Sequence, residues 1–190
     1  MGLLDAFRKD EVVGSKVLLC TLGTKFDDAR KNDERIYKRY YPSTTSVTAV
    51  SVAEIQSALK QKPDILHLFC DVNTQGAMVD GSGARLAGAE LLQAGIDAGV
   101  KWLWIASDNP GESYIAGFKA KGLKINLVMT LRRLGPNFSL FLDSLLGKVS
   151  SGETLPKAWV AVAPQKPNSV QPDVPETIFS AGRGGVILRP

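Results

Sequence analysis

The chain is poor in the residues on which much side-chain chemistry depends, with one histidine and two cysteines among 190 residues. Two thiols cannot make a disulfide framework. Cys20 and Cys70 each lie inside an apolar run and have no metal-ligand spacing, so they read as small apolar side chains in a reducing compartment. No apolar run approaches the about 18 residues that a membrane span needs. Met1 to Phe7 is too short for a secretory signal and brings in Asp5 too early. A cytoplasmic protein that does not enter a membrane is the expectation. An excess of one sign of charge is also lacking: the net charge is +4 and the basic residues are dispersed. Only Arg30-Lys31, Arg35, Lys38-Arg39 and Arg132-Arg133 come close to clusters, and a solvated helix face accounts for the first group without nucleic acid. There is no internal repeat. With 44% apolar and 22% charged residues, the length fits one globular domain with a real core.

Two short apolar runs organise the rest. Ile65 to Cys70 and Val100 to Ala106 are aromatic and aliphatic, bounded by Pro, Gly and Asp, and read as strands of a sheet covered on both faces. Lys16 to Leu22 is an earlier buried strand, and Gly23-Thr24-Lys25 turns it into a helix from about Phe26 to Tyr40 that Pro42 ends. Thr45 to Val52 is a further strand. Val52 to Leu59 is a helix, with Ser51 and Glu54 spaced as a capping box. Asp80-Gly81, between Ala77-Met78-Val79 and Ala84-Arg85-Leu86, is a hairpin signal. Gly88 to Gly99 is a helix with Gly99 as its stop. Pro110 to Lys121 predicts a helix, Ile125 to Thr130 a strand and Pro136 to Val149 an amphipathic helix. A last helix opens near Pro156, with Trp159 turned inward. Thr177 to Leu188 predicts a terminal strand pair about Arg183-Gly184-Gly185. The order implies an α/β fold: a mostly parallel, doubly wound sheet of about five to six strands flanked by helices, with a small inserted hairpin.

Both organising runs end in polar residues, Asp71-Val72-Asn73 and Ser107-Asp108-Asn109, at the carboxyl ends of strands where open α/β sheets gather their functional loops. Asp71, Asn73, Ser107, Asp108 and Asn109 are therefore the candidate pocket. These residues also cap turns by accepting backbone N–H groups wherever strands end. With Asp80 they could instead offer several oxygen ligands to Mg²⁺, although no Asp-x-Asp motif accompanies them. Arg132 and Arg133 are candidates for contacting an anionic group or are simply solvated. Gly23-Thr24-Lys25 lacks the glycine spacing of a phosphate loop and reads as a tight turn. Trp102 and Trp104 share a strand face and read as packing residues. His67 and Cys70 are three residues apart on one strand, so their side chains point to opposite faces and cannot form a dyad.

From about Lys62 to Gln165 the chain resembles a CHAT domain, the bacterial branch of the caspase-like cysteine peptidases. The resemblance is carried by Asp64-Ile-Leu-His-Leu-Phe-Cys-Asp71, the hairpin and helix from Ala77 to Leu92, Val100-Lys-Trp-Leu-Trp-Ile-Ala-Ser-Asp-Asn109, Ile125 to Arg133, and Phe138 to Trp159. In that family one strand ends in Gly-His-Gly and the next in Ser-Ala-Cys, which supply the catalytic pair. Here Leu66-His67 matches a non-catalytic Leu-His. The dyad histidine position falls on Asp71 and the dyad cysteine position on Ser107 or Asp108. A thiol peptidase needs a thiolate and an imidazole that protonates the leaving amine, and two carboxylates supply neither.

The resemblance therefore implies a degenerate, non-catalytic domain, without catalytic residues, metal or cofactor, acting in protein interaction or regulation in a bacterial signalling or defence setting. An active hydrolase is the alternative, either a cysteine peptidase with a relocated dyad or a Mg²⁺ enzyme using Asp71 and Asp108. The expected organisation is a leader or docking helix over 1–15, a CHAT/caspase-like domain over 16–165 and a Pro-rich strap over 166–190. A protein partner would meet Leu3, Leu4 and Phe7 or the strap.

Overall fold

The computed structural model describes residues 11–13, 16–108, 125–130, 138–162, 177–181 and 186–188. Strands β1 (Glu11–Val13), β2 (Val17–Leu22), β3 (Thr45–Ala49), β4 (Ile65–Phe69), β5 (Ala77–Val79), β6 (Arg85–Ala87), β7 (Trp102–Ala106), β8 (Asn126–Thr130), β9 (Thr177–Ala181) and β10 (Val186–Leu188) are joined by five helices among the described residues. These are α1 (Asp27–Tyr40), α2 (Val52–Leu59), α3 (Gly88–Ala98), α4 (Phe138–Ser150) and α5 (Leu155–Val162). The central sheet has six strands in the order β3-β2-β4-β7-β8-β9. The first five are parallel and β9 runs antiparallel to β8. This is the mostly parallel α/β architecture that the alternation of strands and helices predicts.

Both faces of the sheet are covered, which is why its central strands are continuous apolar runs with no polar alternation. Leu18, Cys20, Leu66, Leu68, Leu103 and Ile105 point to one side and pack under α2 and α3. Val17, Leu19, Ile65, Phe69, Trp102 and Trp104 point to the other side, under α1, α4 and α5. Each fully buried side chain of this size removes enough apolar surface to contribute about 1.5–3 kcal/mol before entropy is charged against it. Local signals set the ends of the helices. Ser51 Oγ accepts from Glu54 N–H at the start of α2, and Glu54 Oε2 accepts from Val50 N–H. Gly99 stops α3 in the left-handed region at φ 85°.

Two expectations are corrected. The hairpin β5-β6 is present, but it pairs Ala77 with Ala87 and Val79 with Arg85, so the connection runs over 80–84, not the Asp-Gly dipeptide alone. The left-handed residue of that connection is Gly83, at φ 85°, and Asp80 N–H donates to Ala84 O to close it. The terminal strands exist but do not pair with each other. β9 adds to the edge of the main sheet, and β10 pairs in parallel with β1. The end of the segment read as a leader or docking helix is thus a strand. Leu3, Leu4, Phe7, the helix predicted over 110–121 and the proline-rich stretch 164–175 lie outside the described residues. No helix among the described residues is long and apolar enough to cross a membrane.

Candidate functional site

Adjacency in the sheet decides which polar residues meet. β2, β4 and β7 are neighbours and parallel, so their carboxyl ends open on the same edge. Asp71 follows β4, Asp108 follows β7, and Lys25 follows β2 after Gly23 turns the chain at φ 73°. Lys25 Nζ lies 2.7 Å from Asp71 Oδ2 and 3.3 Å from Asp108 Oδ2. The same ammonium is 5.0 Å from the centre of the Phe26 ring, within reach of a cation–π contact. The three side chains are half-exposed or less, at 49%, 46% and 24% for Lys25, Asp71 and Asp108. The hydrogen bond to Asp71 holds the Lys25 ammonium above the ordinary lysine range against the opposing pull of burial, and Asp108 adds to it.

The two carboxylates expected to converge on a pocket thus converge on a lysine. Among the described residues the partner of both is this ammonium. Lys25 is not among the candidates the sequence offers, because Gly23-Thr24-Lys25 reads as a tight turn and its meeting with Asp71 and Asp108 depends on the strand order. The available signal was a basic residue at one strand tip facing acids at two others.

The remaining candidates separate. Asn73 Oδ1 accepts from the N–H groups of Gln75 and Ala77 at 2.9 and 3.0 Å, so its side chain builds the loop after β4. Ser107 is fully buried. Asn109, Arg132 and Arg133 lie outside the described residues. Asp80, a possible third oxygen ligand, is used elsewhere. Its Oδ2 accepts from Val52 N–H at the start of α2, and its Oδ1 accepts from Ser82 Oγ, Ser82 N–H and Ala84 N–H. These bonds, the Ser82 hydroxyl first, hold its carboxyl below the usual range. Among the described residues no three His, Cys, Asp or Glu side chains gather as a metal site, and a bound ammonium already balances Asp71 and Asp108.

The imidazole and the thiols are on opposite sides of the sheet. His67 is stacked between Phe69 and Trp104, with ring centres 4.3 and 4.9 Å away, and Tyr37 meets it edge-on at 5.8 Å. Cys20 and Cys70 are fully buried in the opposite, aliphatic layer. Burial pushes the Cys20 thiol up to about 12. The Cys70 thiol is raised further, by burial first and then by the neighbouring Asp71 charge. Trp102 and Trp104 stack on each other at 5.4 Å, and Trp159 closes against Phe141 at 5.3 Å, so the indoles are packing residues as their spacing predicts.

A six-stranded, mostly parallel sheet with a reversed edge strand and helices on both faces is a caspase-like arrangement. The chain superposes on the solved structure of pro-sf-caspase-1 with a TM-score of 0.60 and 10% identity, over 96% of this chain and 92% of that one. At that identity the likeness establishes the fold alone. No protein-family model matches the sequence, and no curated protein does.

Proposed function

We propose that this chain is a CHAT-like, non-catalytic member of the caspase-like fold that acts through protein interaction or regulation. The observation that carries the reading is the Lys25 ion-pair cluster at the strand tips. Where the resembled family supplies an imidazole and a thiolate, this chain has Asp71 and Ser107-Asp108, with both carboxylates tied to an ammonium. A relocated dyad gains no support from the remaining residues: His67 is enclosed in aromatic rings on one face, and both sulfurs are buried on the other with raised pKa values, the state in which a thiol is least nucleophilic. Protein recognition through Leu3, Leu4 and Phe7 or the Pro-rich tail, a cytoplasmic location and a bacterial signalling or defence setting belong to the same proposal.

The test is incubation of the folded chain with an iodoacetamide probe and with a panel of peptide substrates. No fast single-site labelling and no cleavage are expected. Rapid stoichiometric labelling of Cys70, or peptide cleavage abolished by Cys70→Ala, would overturn the reading.

A further inference from the structure

Lys25 stands immediately before α1, at the helix end whose dipole disfavours a cation. Asp27 and Asp28 occupy the first turn there, but Asp27 is engaged elsewhere: its Oδ1 accepts from Thr48 Oγ1 at 3.2 Å and Thr21 Oγ1 at 3.5 Å. The lysine instead reaches across the sheet edge to Asp71 and Asp108, joining three segments that the strand ladder leaves separate at their tips. We propose that Lys25 is an electrostatic latch that closes the carboxyl edge of the sheet by pinning the segment after β4 and the tip of β7 to the β2–α1 turn.

The latch has two properties that a buried network would not have. Its members are partly exposed, so salt weakens it: the screening length falls from about 10 Å at 0.1 M to about 3 Å at 1 M ionic strength. It also depends on one ammonium, so neutralising Lys25 frees both acids together. Besides the latch, the segment is anchored by Val72 in the aliphatic core and by contacts within its own loop. Asn73 N–H donates to Ala77 O at 2.9 Å, Gly76 N–H to Asn73 O at 2.9 Å, and Val72 forms an isolated bridge to Met78. A latch of this kind sets how often the edge opens without setting whether the domain folds. The proposal goes beyond the function proposed above, and its test reads no binding or turnover, so either can fail alone.

The test is amide hydrogen exchange on the full chain at about 0.02 M and about 1 M salt, read at Gly23, Asn73, Gln75, Gly76 and Ala77. The Cys70 amide, which donates to Ala106 O within the sheet, serves as the control for global folding. Lys25→Met is expected to speed exchange at the edge amides roughly two- to fivefold at low salt, the range that half-exposed ion pairs support. It should also remove most of the salt dependence that the parent shows, while the Cys70 amide speeds by no more than about the same factor. The swapped pair Lys25→Asp with Asp71→Lys should restore exchange to within about twofold of the parent, while Lys25→Asp alone does not. Edge exchange that is unchanged in Lys25→Met, a salt response that persists in it, or a swap no slower than Lys25→Asp alone would overturn the latch.

Discussion

The two faces of the central sheet are built from different materials. The face under α2 and α3 is aliphatic, made of Leu18, Leu66, Leu68, Leu103 and Ile105, and it holds both thiols. The face under α1, α4 and α5 is aromatic: Phe69, His67, Trp104 and Trp102 stack in sequence across β4 and β7, and Phe138, Phe141 and Trp159 close over them. Strand alternation alone makes this partition, because neighbouring residues on a strand point to opposite sides. The imidazole and the sulfurs are therefore separated by the sheet, and charge chemistry is left to its edge. The contrast shows that the scarcity of histidine and cysteine in this chain is compounded by placement.

The largest effect should come from opening the aromatic face. Trp104→Ala removes the ring shared by His67, Trp102, Phe138, Phe141 and Trp159, and should cost about 3–5 kcal/mol by urea unfolding. Ile105→Val, one residue on and facing the aliphatic side, should cost only about 0.5–1.5 kcal/mol. If both cost the same small amount, the rings are not packed as a unit and the comparison fails. A polar intruder sharpens the same point on the other face: Cys70→Ser should destabilise by about 1–3 kcal/mol, since a buried hydroxyl replaces an apolar thiol, while Cys70→Ala stays closer to the parent.

Alkaline titration gives the next effect. The folded-state thiol pKa values lie above the unfolded value of about 9.0. Above that pH the unfolded chain releases protons that the folded chain keeps. The unfolded state then binds fewer protons, so stability falls as pH rises, at up to about 1.4 kcal/mol per pH unit for each thiol. Cys20→Ala should flatten that slope between about pH 9 and pH 11 in denaturant titrations, and an unchanged slope would contradict the buried assignment.

The edge should give the smallest effect. Lys25→Met should lower stability by no more than about 1 kcal/mol, as exposed pairs do. The sign follows from a lysine whose folded pKa is raised above 10.5. Its contribution is complete below the unfolded value and is lost as pH rises through the folded one. The difference between the parent and Lys25→Met should thus be constant from neutral pH to about pH 10 and shrink above it.

Residues that act through their immediate neighbours were legible in the sequence. The apolar runs Ile65 to Cys70 and Val100 to Ala106 announced strands covered on both faces. Ser51 with Glu54 announced the start of α2, and Gly99 the end of α3. Strand alternation alone separates His67 from Cys70. What depends on partners distant in sequence was not legible. Nothing in Thr177 to Leu188 says that β9 pairs with β8 or that β10 pairs with β1, because an edge strand's own side chains do not specify which edge it joins. Lys25 was overlooked for the same reason: its role exists only once the order β2-β4-β7 brings Asp71 and Asp108 to the same edge. Asn73 and Asp80 illustrate the converse, since polar residues after strands are often fully engaged in shaping their own loops.

The parallel ladder between β1 and β10 sets a constraint on how the molecule is made. Glu11 pairs with Val186 and Val13 with Leu188, so a strand that precedes the central sheet in the chain has a partner that follows it. During synthesis β1 must wait for this partner until the strands of the central sheet have emerged. That contact has a long loop to close and is among the last to form. Until then its unpaired strand edge is exposed to rival strands, so slowed translation or high expression should favour aggregation at this seam.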